Sequence, residues 1–179
     1  MGISVDRLVM RKTTGVTVRT GRLLLRPMCR EEWTKVVEEV FEQDECLFQF
    51  GYEKNDGLRE AVAEPNVAEV VYHSILCEEE MVGYVGLSPA SKNLEFYVFE
   101  EYRRQGYARE AVGAFVKACE AGEITGKAVD KFYAQVISEN AACIELMKKL
   151  GFSECGCGFS ITNGWGFVEF EYGVGEECK

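Results

Sequence analysis

Polar and apolar positions along the chain repeat with two periods. Gly21–Pro27 reads GRLLLRP, a short apolar strand closed by a proline. Trp33, Val36, Val37, Val40 and Phe41 then recur at helical spacing within Arg30–Gln43. A weaker helical pattern covers Asn55–Glu64 and stops at Pro65. Ala68–Glu80 and Met81–Ala90 read as two strands around an acidic turn, which predicts a hairpin. In Asn93–Phe99 the alternation puts Leu94, Phe96 and Val98 on one face and Glu95 and Tyr97 on the other. From Gly106 to about Ala121 the period becomes helical, with Ala108, Ala111, Val112, Phe115 and Cys119 as the apolar stripe. Lys131–Ile137 reads as a buried strand. Glu139–Phe152 reads as a helix capped by Asn140 and ended by Gly151, with Cys143, Met147 and Leu150 on one face. Gly156–Thr162 and Trp165–Val174 are two last strands around Asn163-Gly164, a strong hairpin signal. The order β-α-α-β-β-β-α-β-α-β-β predicts one mixed α/β domain over residues 21–175, preceded by a polar arm at 1–20.

A chain of 179 residues with 47% hydrophobic and 12% aromatic positions can bury a full core. The net charge of −10 sets aside a general nucleic-acid binder, which is expected to be basic, and fits a cationic partner or simple solubility. No apolar run reaches the roughly 18 residues of a membrane span. The start MGISVDRLVMRKTT shows no signal-peptide pattern, and Asp6 stands where a myristoylation motif needs Ser or Thr. Cys178-Lys179 lies too close to the end for a prenylation box. Eight cysteines are scattered without a CxxC pair, so reduced thiols in a cytoplasmic protein are the expectation, with no metal site. His73 is the single histidine, which nearly excludes a histidine-based triad or a dinuclear centre.

The stretch Glu95–Ala111, EFYVFEEYRRQGYAREA, passes from strand to helix through a basic turn. A glycine there lets a ligand approach the backbone, and the first helical N–H groups have no intrahelical acceptor. With the helix dipole they form an anion site, and Arg103 and Arg104 add fork-shaped donors suited to phosphate. No GxxxxGK[ST] loop and no GxGxxG fingerprint is present, which leaves a single-glycine, arginine-rich cradle for a pyrophosphate. The same residues also fit an ordinary strand-to-helix turn with solvated arginines.

Two neighbouring elements change that balance. Arg103-Arg104-Gln105-Gly106-Tyr107-Ala108 matches [RQ]-x-x-G-x-[GA], and Val98 stands where the leading strand ends. NAACIELMKKLGF, Asn140–Phe152, follows the next strand, and RLLLRP opens the domain. Together these resemble the GNAT acetyltransferase superfamily, in the branch of ribosomal-protein N-terminal and spermidine acetyltransferases, over about Gly21–Tyr172. The resemblance implies a mostly antiparallel sheet flanked by helices and splayed between its fourth and fifth strands. It implies acetyl-CoA as acetyl donor. The backbone of Phe96, Tyr97 and Val98 is expected to pair with the pantetheine arm. Arg103, Arg104, Gln105, Gly106, Tyr107, Ala108 and Arg109 are expected to hold the pyrophosphate, and Asn140 to touch the cofactor from the following helix. The thioester is then expected between Val98 and Gln135–Ser138.

Such a transfer is direct: a primary amine, first made neutral, attacks the thioester. At pH 7 that deprotonation costs roughly 4–5 kcal/mol for a lysine-like amine and about 1 kcal/mol for an α-amine. Many family members supply a tyrosine acid from the N…GF helix, but Met147 occupies that position here and reads as core. Glu95 and Ser138 are the candidate catalytic residues. Tyr133, or a water relayed from backbone carbonyls, is an alternative, and the residues do not choose among them. The acceptor is expected to be a protein or peptide N-terminus ahead of a polyamine or other small cationic amine, shaped by Trp33–Glu64 and Gly158–Tyr172. A monomer and a homodimer are both compatible with the sequence. The competing classes are a non-catalytic acyl-CoA-binding module and a phosphate-binding structural domain.

Overall fold

The computed structural model describes residues 15–42, 70–160 and 164–173. The first part of the arm, the helical pattern at Asn55–Glu64 and the tip at Asn163 lie outside the described residues. Five strands form one antiparallel sheet: β1 (Val18–Arg19), β2 (Leu23–Pro27), β3 (Val71–Cys77), β4 (Glu80–Leu87) and β5 (Leu94–Val98), in that order. Three more, β6 (Lys131–Ile137), β7 (Ser153–Phe159) and β8 (Gly166–Gly173), form a second antiparallel sheet in the order β6-β8-β7. The described helices are α1 (Arg30–Glu42), α2 (Tyr107–Glu120) and α3 (Ala141–Lys149), with one 3₁₀ turn at Glu100–Tyr102. β1 is too short to show as a strand in the sequence, and β7 begins earlier than its glycine-rich pattern suggests.

The β3–β4 hairpin closes through Glu78 and Glu79, whose φ values of 50° and 73° match a two-residue primed turn. Strand alternation then sorts the core. Leu25, Ile75, Val85, Leu87 and Leu94 face α2, where they meet Val112 and Phe115. Tyr72, Tyr84, Tyr97 and Phe99 gather with Trp33, Val36 and Val37 of α1. The faces expected for β5 are those observed. α2 also packs on residues of the smaller sheet and α3, including Phe132, Phe170 and Met147, so one helix spans both sheets.

α1 is fixed through Glu32. The N–H of Cys29, just before the helix, donates to Glu32 Oε2 at 3.0 Å, half of a capping box. Arg26 of β2 donates to both Glu32 oxygens, at 3.1 and 2.6 Å, and the buried Ser74 hydroxyl of β3 adds a bond of 2.8 Å. One carboxylate thus ties the helix start to two strands.

His73 is fully buried against Phe115, with ring centroids 5.4 Å apart. Its Nε2 donates to the Val16 carbonyl at 3.1 Å, which leaves Nδ1 as a buried nitrogen without a partner. Burial holds the ring below its ordinary pKa, only partly offset by that hydrogen bond. The unfolded chain therefore takes up a proton that the folded chain refuses. Stability is expected to be full above about pH 6.5 and to fall below it, by up to about 1.4 kcal/mol per pH unit. Urea unfolding at about pH 7.5 and 5.5 checks this, and the difference should shrink in His73→Gln.

Candidate active site

The two sheets nearly fail to meet. β5 and β6 run parallel, and their link is one bridge between Asn93 and Tyr133, where the Tyr133 N–H donates to the Lys92 carbonyl at 2.9 Å. Beyond that bridge no ladder joins them, so a cleft opens between the Val98 end of β5 and Gln135–Ser138. In an antiparallel ladder backbone groups alternate in direction. The Phe99 N–H bonds to Val82 at 3.0 Å, so Tyr97 and Glu95 also turn their backbone toward β4. A Cβ on Gly83 would lie 2.1 Å from the Tyr97 carbonyl oxygen, which marks the same direction. The backbone of Phe96 and Val98 therefore faces the cleft, whereas that of Tyr97, expected to face it, is spent on β4.

The basic turn follows directly. Arg104 has φ 61° and Gly106 φ 81°, both left-handed. Gly106 is the residue before α2, and no side chain caps it. The first helical hydrogen bond runs from the Glu110 N–H to the Gly106 carbonyl at 3.1 Å. The N–H groups of Tyr107, Ala108 and Arg109 thus have no acceptor within the helix, at its positive end. Arg104, Gln105 and Arg109 are exposed around this mouth. A pyrophosphate fits such a place: uncapped donors, alternating turn geometry and bare backbone at Gly106.

Arg103 does something else. Its Nε donates to the Val98 carbonyl at 3.1 Å, its Nη2 to the Tyr97 hydroxyl at 3.0 Å, and its guanidinium lies 5.3 Å from the Tyr97 ring centroid. Its side chain thus braces the end of the strand. Arg22, at the start of β2, stands nearer the helix mouth. It donates to the Gln105 carbonyl at 3.1 Å, bonds Glu110 through its backbone N–H and its Nε, and lies 4.9 Å from the Tyr107 ring centroid. Burial works against the Glu110 charge, but hydrogen bonds from Thr20 and Arg22 outweigh it and hold the carboxyl below its usual range. Sequence patterning does not reach this pin, because Arg22 and Glu110 are 88 positions apart. A helix-mouth carboxylate close to an anion site, in need of a cation, is the one signal that could have suggested it.

Across the cleft, Ser138 ends β6 on the exposed side, its N–H bonded to the Gly166 carbonyl at 3.0 Å. Asn140 caps α3 as expected, its side-chain oxygen accepting from the Cys143 N–H at 3.1 Å, which leaves its amide NH₂ as the donor end. Met147 is fully buried in the main core. The backbone of Tyr133 takes part in the bridge and the β6–β8 ladder. Glu95 lies on the α1 face of β5. Its Oε1 is buried without a hydrogen-bond partner. Burial pushes this carboxyl above its ordinary pKa, and a hydrogen bond from Tyr72 offsets part of the rise.

A splayed sheet with an uncapped helix mouth beside it leaves a place for an extended ligand that carries phosphate. A model of the acetyltransferase (GNAT) domain matches residues 22–153, and the chain belongs to this family. It is an N-acetyltransferase with acetyl-CoA as acetyl donor. Solved structures agree in fold. An acetyltransferase (GNAT family) from Bacillus anthracis has a TM-score of 0.71 at 20% identity, over 90% of this chain and 100% of that one. RimL, a ribosomal L7/L12 alpha-N-protein acetyltransferase in complex with coenzyme A, has a TM-score of 0.67 at 16% identity, over 89% and 98%. A spermidine N-acetyltransferase from Vibrio cholerae, in complex with CoA and spermine, has a TM-score of 0.67 at 17% identity, over 86% and 96%. A search of curated proteins finds no match.

Gly106 offers a clean test of the cradle. A Cβ there would meet only Arg22 Nη2, at 3.5 Å, so the fold tolerates a side chain apart from the cost of φ 81°. Gly106→Glu is expected to keep its far-ultraviolet circular dichroism and to lose CoA affinity, by calorimetry, roughly a hundredfold or more, about 3 kcal/mol.

Proposed function

We propose that this enzyme acetylates the α-amine of a protein or peptide, with Glu95 as the general base. The observation that carries the reading is the Glu95 carboxyl: on the sheet face opposite α2, on the strand that borders the cleft, with one buried oxygen unpartnered. The bound donor supplies an acetyl thioester, whose C–S bond is exchanged for an amide C–N bond as CoA leaves as the thiol. Phe96 and Val98 offer cleft-facing backbone groups to the pantetheine arm. The mouth from Arg104 to Arg109 supplies N–H donors and positive charge for the pyrophosphate, and the Asn140 amide stands on the far wall.

Glu95 takes the proton from the attacking amine. A carboxyl raised above its ordinary pKa is a stronger base than a solvated one, provided it is ionised at the working pH. The remaining gap is small for an α-amine of pKa about 7.7–8.0 and larger by more than two units for a polyamine nitrogen near 10.4. Met147 is sealed in the core and holds no proton, so no acid comes from the position where relatives place a tyrosine. A thiol of pKa about 8.5 leaves without one. Ser138, exposed directly after β6, is a hydroxyl that could solvate it. The six cysteines among the described residues are all unpaired, which supports a reducing, cytoplasmic setting.

The test is acetyl transfer to a panel of N-terminal peptides and polyamines, read by mass spectrometry of the acceptor. Peptide N-termini are expected to be the better acceptors. Glu95→Gln should lower kcat by about 10²–10⁴-fold and flatten the acid limb of the pH profile while CoA still binds. CoA binding with no turnover on any amine would instead support an acyl-CoA sensor, and full activity of Glu95→Gln would remove Glu95 from the mechanism.

A further inference from the structure

We propose that Tyr72 is the positioning residue of the acid–base unit, reaching across the bare backbone of Gly86 to hold one oxygen of Glu95 and leave the other for the amine. The inference rests on the reading of Glu95 as base. Its geometry is a single row across three strands: Tyr72 of β3 pairs with Gly86 of β4, and Gly86 pairs with Glu95 of β5. Residues two strands apart are separated by about 9.6 Å of backbone, a gap that a tyrosine and a glutamate can close only if nothing stands between them.

Gly86 keeps that space empty. Unlike Gly106, it is not among the glycines with positive φ, so its conformation suits any residue. What excludes a side chain is the Tyr72 ring. A Cβ at position 86 would lie 2.8 and 3.0 Å from Tyr72 Cδ1 and Cε1, and 3.1 Å from Val70 Cγ1. The ring therefore lies over the glycine, aimed along the row. It is also clamped: Trp33 and Tyr84 hold it with ring centroids at 5.0 and 5.9 Å, and Tyr72 is 8% exposed. Its hydroxyl donates to the Glu95 carboxyl, which favours the ionised form. Glu95 Oε1 remains without a partner, the lone pair that a proton acceptor needs.

Several other titratable or charged groups on the surrounding elements have partners of their own, and Lys35 of α1 lies 5.0 Å from the Phe99 ring centroid. Tyr84 of β4 and Tyr97 of β5 sit in the aromatic cluster, and Tyr97 accepts from Arg103. Glu169 of β8 accepts from Gln135 of β6 at 3.0 Å. Glu32 of α1 is bound by Arg26 and Ser74.

The experiment follows the Glu95 carboxyl itself by ¹³C NMR titration of the substrate-free enzyme, its signal assigned by loss in Glu95→Gln. Removing the donor in Tyr72→Phe, which keeps the ring in its clamp, should raise the Glu95 pKa. The acid limb of kcat/KM against pH should move upward in step, and kcat should fall roughly tenfold with CoA affinity unchanged. Gly86→Ala, which displaces the ring, should shift the titration the same way. A purely structural tyrosine would lower the melting temperature and leave the titration in place. An unmoved Glu95 pKa in folded Tyr72→Phe overturns the inference even where Glu95→Gln is inactive. Full activity of Glu95→Gln removes the base reading instead.

Discussion

The architecture depends on two strands that do not pair. β5 and β6 touch at Asn93 and Tyr133 and then part, which leaves backbone donors and acceptors of a central strand facing open space. Unpaired backbone groups inside a protein are costly unless something else satisfies them. In the proposed reading, the extended pantetheine arm of the donor takes the place of the missing strand. α2 makes the gap sustainable by packing against both sheets through Val112, Phe115 and their neighbours, so the halves stay joined where hydrogen bonds do not join them. The same helix presents its uncapped end beside the opening, so the element that closes the core also offers the unspent N–H donors proposed for the phosphates.

The two faces of the larger sheet divide the labour. The α2 face is aliphatic and carries the packing. The α1 face is aromatic, with Trp33, Tyr72, Tyr84, Tyr97 and Phe99 in one cluster, and it holds the Glu95 carboxyl proposed as the base. Aromatic rings suit this face because they exclude water while still supplying hydroxyl groups at their ends. Arg103 uses one such hydroxyl to brace the strand end, which converts a residue of the cradle motif into a support for the wall beside it.

Much of this was legible in the chain. The strand at Lys131–Ile137, the cap at Asn140 and the glycine stop at Gly151 follow from local periodicity and capping chemistry, and each is found where the pattern places it. The strand, basic turn and helix of Glu95–Ala111 were legible because that signal is also local. What escaped was pairing at a distance. Nothing near Arg103 says that it folds back onto Tyr97, and nothing near Gly86 says that its vacancy serves Tyr72. The backbone direction of Tyr97 was hidden because alternation gives faces but not the phase of the hydrogen bonds. β1 escaped since two residues, Val18 and Arg19, carry no period at all.

The pin between Arg22 and Glu110 has a consequence for how the molecule comes into being. It steadies the carbonyl of Gln105 and offsets an acidic charge at the helix mouth, yet its partners are 88 positions apart. A chain emerging from the ribosome carries β2 long before α2 exists, so the phosphate mouth cannot be assembled until that loop closes. A ligand held at that mouth would then report on completed folding rather than on a preformed local motif, and would favour the folded chain by mass action.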